Sequence, residues 1–134
     1  MRILIVGFST RAIAESAIRS GSDVLTLDYF GDSDQRALVE NHSLLRDYNL
    51  PFSAQALGQA ASGLPGDGLV YISSLENHPD VVQQMARGRV LLGNSPDTLK
   101  RVRDWRLLRQ VLDRSEFAVP TTLLQGDESH ADRN

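Results

Sequence analysis

The chain has 134 residues, 41% of them hydrophobic and 23% charged, a balance ordinary for one globular domain of normal core size. A net charge of −3 supplies no basic surface for nucleic acid, and the lack of cysteine excludes disulfides, thiol catalysis and Cys-ligated metal. No apolar run approaches the roughly 20 residues of a membrane helix, and the opening segment is too soon broken for a signal peptide, so a cytoplasmic protein is expected.

Residues 3–6 (Ile-Leu-Ile-Val) are continuously apolar and rich in β-branched side chains, as in a strand buried on both faces of a parallel sheet. Gly7 ends the run, and Ser9 and Thr10 are good N-caps for a helix from about Arg11, with Ile13, Ala14, Ala17 and Ile18 as its apolar stripe. Gly21 supplies the stop, and residues 24–27 are a second apolar strand closed by Asp28. The opening is therefore β-α-β. Residues 29–32 read as a loop, and Asp32 or Ser33 can cap a short helix through Gln35, Ala37, Leu38 and Val39. Residues 41–51 are mixed, with Leu44, Leu45 and Tyr48 as one more apolar face; residues 53–61 look helical, and 63–68 (Gly-Leu-Pro-Gly-Asp-Gly) form the clearest breaker.

Residues 69–72 are the third apolar strand. Asn77 or His78 then caps a helix with Pro79 in its first turn and Val81, Val82 and Met85 on its buried stripe. Residues 90–92 form a fourth strand, closed by Gly93 and Asn94. Ser95, Pro96 and Asp97 open another helix, and Asp104 begins a further one carrying Leu107, Leu108, Val111 and Leu112. Residues 117–124 are a last extended stretch, and 125–134 form a polar tail expected to be disordered. Four to five apolar strands alternating with helices predict an α/β domain over residues 1–124: an open, mostly parallel, Rossmann-like sheet with helices on both faces and right-handed crossovers.

In such sheets ligands bind outside the carboxyl ends of the strands. Three polar clusters fall there: Ser9, Thr10 and Arg11; Ser73, Ser74, Glu76 and Asn77; and Asn94 and Ser95. The first turn has only Gly7 where a dinucleotide fingerprint needs three glycines, and it lacks the Gly-Lys-Ser/Thr of a P-loop. What remains is a helix N-terminus with two hydroxyls and a guanidinium, which suits a carboxylate or phosphate; the alternative is that Ser9 and Thr10 only cap the helix and Arg11 is solvated. Asp28 sits where dinucleotide folds place a ribose acceptor. Glu76 can bind an amine or act as a general base, or can simply be a solvated acid near a helix start. His42, His78 and His130 have no metal-ligand spacing, Ser9 has no triad partners at a recognisable spacing, and Trp105 and Phe117 suit core or interface positions.

The assembly of residues 3–12 (Ile-Leu-Ile-Val-Gly-Phe-Ser-Thr-Arg-Ala), 27–32 (Leu-Asp-Tyr-Phe-Gly-Asp), 74–79 (Ser-Leu-Glu-Asn-His-Pro) and 92–96 (Leu-Gly-Asn-Ser-Pro), followed by Arg103-Asp104 and Val119-Pro120-Thr121-Thr122, resembles the N-terminal, pre-ATP-grasp domain of ATP-grasp proteins. The resemblance covers the chain to about Leu124. Many of those enzymes carry Lys after the acid matching Asp104, where this chain has Trp105. The resemblance implies a ligase in which ATP phosphorylates a carboxylate and an amine or similar nucleophile attacks the acyl phosphate. It implies that Ser9, Thr10, Arg11, Glu76 and Asn77 hold the small-molecule substrate, a carboxylate or amine. No cofactor is expected in this chain; ATP and Mg²⁺ are expected on C-terminal ATP-grasp domains that follow in the full-length protein. The chain alone is expected to be inactive, with neither catalytic nor metal-binding residues of its own. A homodimer through apolar surface on residues 105–124 is a further expectation. The other reading is a stand-alone Rossmann-like module for small-molecule binding or oligomerisation, without chemistry.

Overall fold

A computed structural model describes residues 1–72 and 74–114. Residues 1–100 form one compact unit and a second begins at Arg101. The first contains β1 (Arg2–Val6), α1 (Arg11–Arg19), β2 (Asp23–Asp28), α2 (Ser33–Arg36), β3 (Glu40–Ser43), α3 (Ala54–Ser62), β4 (Gly68–Tyr71), a 3₁₀ turn (Leu75–Asn77), α4 (Pro79–Met85) and β5 (Val90–Leu91). Helix α5 covers Pro96–Arg103 and α6 covers Trp105–Leu112. The five strands form one sheet in the order β3-β2-β1-β4-β5, and every pairing is parallel.

The apolar runs of β1, β2 and β4 pack on both faces of the sheet because successive side chains point to opposite sides, whereas the run at β5 lies at the sheet's edge with Val90 and Leu92 exposed. Leu4, Val6, Leu25, Leu27 and Leu69 join Leu57, Ala60 and Ala61 of α3 and Val81, Val82 and Met85 of α4 in the larger core. Ile5 and Val24 pack with Ala14 of α1 in a smaller one on the other face. Each fully buried Leu contributes about 1.5–3 kcal/mol. The helix starts follow the sequence signals at three places. Ser53 accepts the Ala56 N–H at 3.0 Å, Ser95 accepts the Thr98 N–H at 3.1 Å, and Asp104 accepts the Arg106 and Leu107 N–H groups. Gly21, with φ +79°, closes α1 as expected.

One strand departs from the sequence reading. Residues 40–43 (Glu-Asn-His-Ser), within and just before the stretch read as mixed, form the edge strand β3. No apolar run marks it, because it is held by polar side chains of β2 rather than by burial of its own apolar ones. The extended stretch read at 117–124 and the tail at 125–134 lie outside the described residues. Of the α6 stripe, Leu107, Leu108 and Leu112 are half-buried and Val111 is exposed.

Gly58, in the middle of α3, lies at a close approach of α3 to α4. A Cβ there would lie 2.8 Å from Val81 Cγ1. Gly→Ala inside a helix ordinarily gains up to about 1 kcal/mol. Here a stiff β-branched neighbour blocks the methyl, so Gly58→Ala is expected to destabilise by about 1–2 kcal/mol net in urea unfolding.

Candidate functional site

The carboxyl ends of the parallel strands share one edge of the sheet, and all five residues singled out for substrate binding sit along it. Ser9, Thr10 and Arg11 follow the central strand β1; Glu76 and Asn77 lie in the 3₁₀ turn after its neighbour β4. Gly7 lets the turn begin. A Cβ on it would come within 2.5 Å of Ile72 Cγ1 and 3.1 Å of the Ile72 carbonyl, so the exits of β1 and β4 pack closer than a side chain permits.

The five residues divide by exposure. Ser9 and Asn77 are exposed, Arg11 is exposed, and Glu76 is half-buried. Thr10 is fully buried. It occupies the N-cap position of α1, yet its side chain makes no cap hydrogen bond. This corrects the capping role. The hydroxyl turns inward, donates to Asp28 Oδ2 at 3.1 Å and accepts from Gln35 Nε2 at 2.5 Å. Thr10 thus anchors the turn that presents Ser9 and Arg11, and its side chain offers no open face to a ligand.

Asp28 is the hub of that buried network. It is 2% exposed. Its Oδ1 accepts the Gly31 N–H at 2.9 Å and its Oδ2 accepts from Thr10 and from Asn41 Nδ2 at 3.2 Å. Gln35 and Asn41 also donate to Thr26 Oγ1, each at 3.0 Å. Burial pushes the Asp28 carboxyl up, against the lowering effect of its three donors. The ribose-acceptor role is therefore not available to it: both carboxylate oxygens are engaged inside the fold.

Arg11 is held by two acids, Glu15 on its own helix at 2.8 Å and Asp34 of α2. Any ligand carboxylate that Arg11 grips must compete with Asp34. On the β4 side, Tyr71 Oη donates to the Asn94 carbonyl at 2.8 Å, and its phenol is pushed up by burial and by the negative charge of Glu76. Ser74 precedes the turn with φ +61°, and Leu75 anchors it in the core.

The sequence reading missed an aromatic cluster on the same edge. Phe8 follows β1, Tyr29 and Phe30 follow β2, and Phe52 precedes α3. Phe8 stacks on Tyr29 at 5.8 Å, and it meets Phe30 and Phe52 edge-on at 4.9 and 4.7 Å. The three phenylalanines are 36–43% exposed, so this is an aromatic surface and not core. The available signal was that three of the chain's four phenylalanines stand directly after strands or before a helix cap. Among the described residues no helix is long and apolar enough to cross a membrane.

No family model and no curated protein sequence matches the chain. Solved structures do. The complete multifunctional pyruvate carboxylase of Rhizobium etli is 18% identical with a TM-score of 0.63, over 82% of this chain and 12% of that one. A variant of the R. etli enzyme, solved with the allosteric activator acetyl coenzyme-A, is 17% identical with a TM-score of 0.65, over 90% of this chain and 14% of that one. N5-carboxyaminoimidazole synthetase from Staphylococcus aureus, complexed with ADP, is 20% identical with a TM-score of 0.54, over 84% of this chain and 28% of that one. This chain therefore spans only 12–28% of the length of these proteins, and it shares with that portion the open, parallel α/β fold that the sequence resemblance implied.

Proposed function

We propose that the chain is the N-terminal, substrate-cleft domain of an ATP-grasp ligase that joins a carboxylate to an amine or related nucleophile. The observation that carries this reading is the shared sheet edge. A guanidinium and a hydroxyl after β1 stand beside a carboxylate and an amide after β4, so one edge offers partners for both an acidic and a basic substrate group. The fold likeness to a pyruvate carboxylase and to a synthetase complexed with ADP supports it, as does the motif resemblance. Asp28, with both oxygens engaged inside the fold, is not offered as a ribose partner, and this reading puts ATP and Mg²⁺ on other domains. Bound there, ATP would activate the carboxylate. The residues of this chain hold and orient: Arg11 and Ser9 the carboxylate, Glu76 the amine, Asn77 a polar substituent, and Thr10 the turn itself.

The test is a ligase assay on the full-length gene product with a panel of carboxylates and amines. ADP release that requires one member of each set is expected. A product that releases no ADP with any pair, yet still binds a small molecule through this edge, would favour the binding module without chemistry.

A further inference from the structure

β3 is an edge strand, and its outer side is closed by the chain that follows it. Leu44 donates its N–H to the Asp28 carbonyl of β2 at 2.8 Å. Successive residues of a parallel strand turn their backbone groups to opposite edges, so Asn41 and Ser43 turn theirs outward. An outward row of N–H and C=O groups is a template for another strand. Here three of the row's four groups are already used. The Ser43 N–H donates to Asp47 Oδ2 at 2.9 Å, and the Ser43 carbonyl accepts the Asp47 N–H at 2.9 Å. The Asn41 carbonyl accepts from Arg46 Nη2 at 2.8 Å.

The two side chains that do this are locked to each other and to the loop after β2. Arg46 Nε and Nη2 donate to the two oxygens of Asp47 at 2.7 and 2.6 Å, and Arg46 Nη1 reaches the Gly31 carbonyl at 3.5 Å. Gly31 has φ +68°, and a Cβ on it would lie 2.7 Å from Ser43 Cβ and 3.0 Å from Arg46 Nη1. A glycine at 31 is therefore what lets the guanidinium lie against the strand.

We propose that the Arg46–Asp47 pair is an edge guard, closing β3 to strand addition by a second copy of this chain. The second copy is the occupant because the edge complements itself. In the antiparallel, two-fold register that sets Asn41 opposite its counterpart, Glu40 of each copy stands opposite His42 of the other. Those two side chains already approach to 3.5 Å within one copy.

The experiment compares the 134-residue chain with Arg46→Ala/Asp47→Ala by amide hydrogen exchange and sedimentation. At a dilution where the double variant is a monomer, the Ser43 amide should exchange at least about tenfold more slowly in the unmodified chain than in the double variant. The double variant should form a species of twice the mass whose share rises with concentration, beyond any association the unmodified chain shows through other surfaces. Asp47→Asn, which keeps an oxygen for the Ser43 N–H, should sediment as the unmodified chain does. A folded double variant with unchanged mass overturns the proposal. So does fast exchange of Ser43 in the unmodified chain, a measurement that needs no variant. Where the double variant does not fold, the Ser43 amide of the unmodified chain decides alone: slow exchange supports the edge guard and fast exchange overturns it.

Discussion

Replacing Asp28 with Ala is expected to destabilise the chain by about 3–5 kcal/mol in urea unfolding, a large share of the roughly 5–15 kcal/mol a domain has. The side chain accepts three hydrogen bonds in a site closed to water, from Gly31, Thr10 and Asn41. Alanine strands two of them, the Gly31 N–H and the Thr10 hydroxyl, while Asn41 keeps Thr26, and each stranded buried donor costs about 1–3 kcal/mol. Asp28→Asn should cost only about 1 kcal/mol, because one neighbour can adapt. Asn41 Oδ1 has no partner in the native network. Turned over, the Asn41 amide presents that oxygen to the new amide at 28, at the expense of its own donation to Thr26.

The same pair of proteins gives a signed pH test. Burial raises the Asp28 carboxyl, so the native state holds its proton more tightly than the unfolded chain does. Between the ordinary aspartate value of about 3.9 and the raised native value, stability therefore falls as pH rises. Asp47 and Glu40 act in the opposite direction. Arg46 and Arg2 hold their carboxyls below the ordinary range, so those contributions are present above it and are lost as pH falls. Asp28→Asn removes the first effect and leaves the others. The stability of Asp28→Asn relative to the unmodified chain should climb with pH across that window; a flat or falling difference would contradict the assignment of Asp28 as the buried, raised carboxyl.

Much of the fold is legible because burial on both faces leaves a continuous trace. The runs in β1, β2 and β4 are mostly apolar because residues such as Leu4, Leu25 and Leu69 have no exposed side; the buried Thr26 and Asp28 of β2 are the exceptions, and both are hydrogen-bonded. The helix starts at Ser53, Ser95 and Asp104 are equally plain, because a cap is a local bond between neighbours in sequence. β3 is invisible for the converse reason. Its buried residues Asn41 and Ser43 are polar, and their partners Thr26, Asp28 and Tyr29 lie about a dozen residues away. Thr10 shows the limit of local rules most clearly. A threonine before a helix looks like a cap, and only the distant Asp28 and Gln35 reveal that its hydroxyl faces inward. The strand-end rule brought Ser9, Arg11, Glu76 and Asn77 to one edge. It says nothing of side chains from other elements, so the Arg11–Asp34 pair, 23 residues apart, and the contact of Phe52 with Phe8 were beyond its reach.

That Arg11–Asp34 pair sharpens the functional test. Arg11→Ala is expected to change stability by no more than about 0.5 kcal/mol, since both partners are half exposed and such surface pairs contribute little. In the full-length protein the same change should raise the KM for the carboxylate substrate by about 10- to 100-fold, the equivalent of one lost charge-assisted hydrogen bond. Asp34→Ala separates a ligand-facing arginine from a structural one by the sign of its effect. If Arg11 serves only to pin α1 to α2, removing either partner breaks the same bond, and the two variants should behave alike. If Arg11 binds the carboxylate, Asp34 is its competitor, and Asp34→Ala should lower the KM for that substrate while Arg11→Ala raises it. Glu76→Gln, on the neighbouring strand, should weaken the amine and leave the carboxylate unaffected, because its charge lies on the β4 side of the edge, beside Tyr71. Opposite shifts for Arg11→Ala and Asp34→Ala, with Glu76→Gln acting on the amine alone, are the expected pattern in steady-state kinetics. Equal shifts for the first two would leave Arg11 as a strut between helices and move the carboxylate site elsewhere.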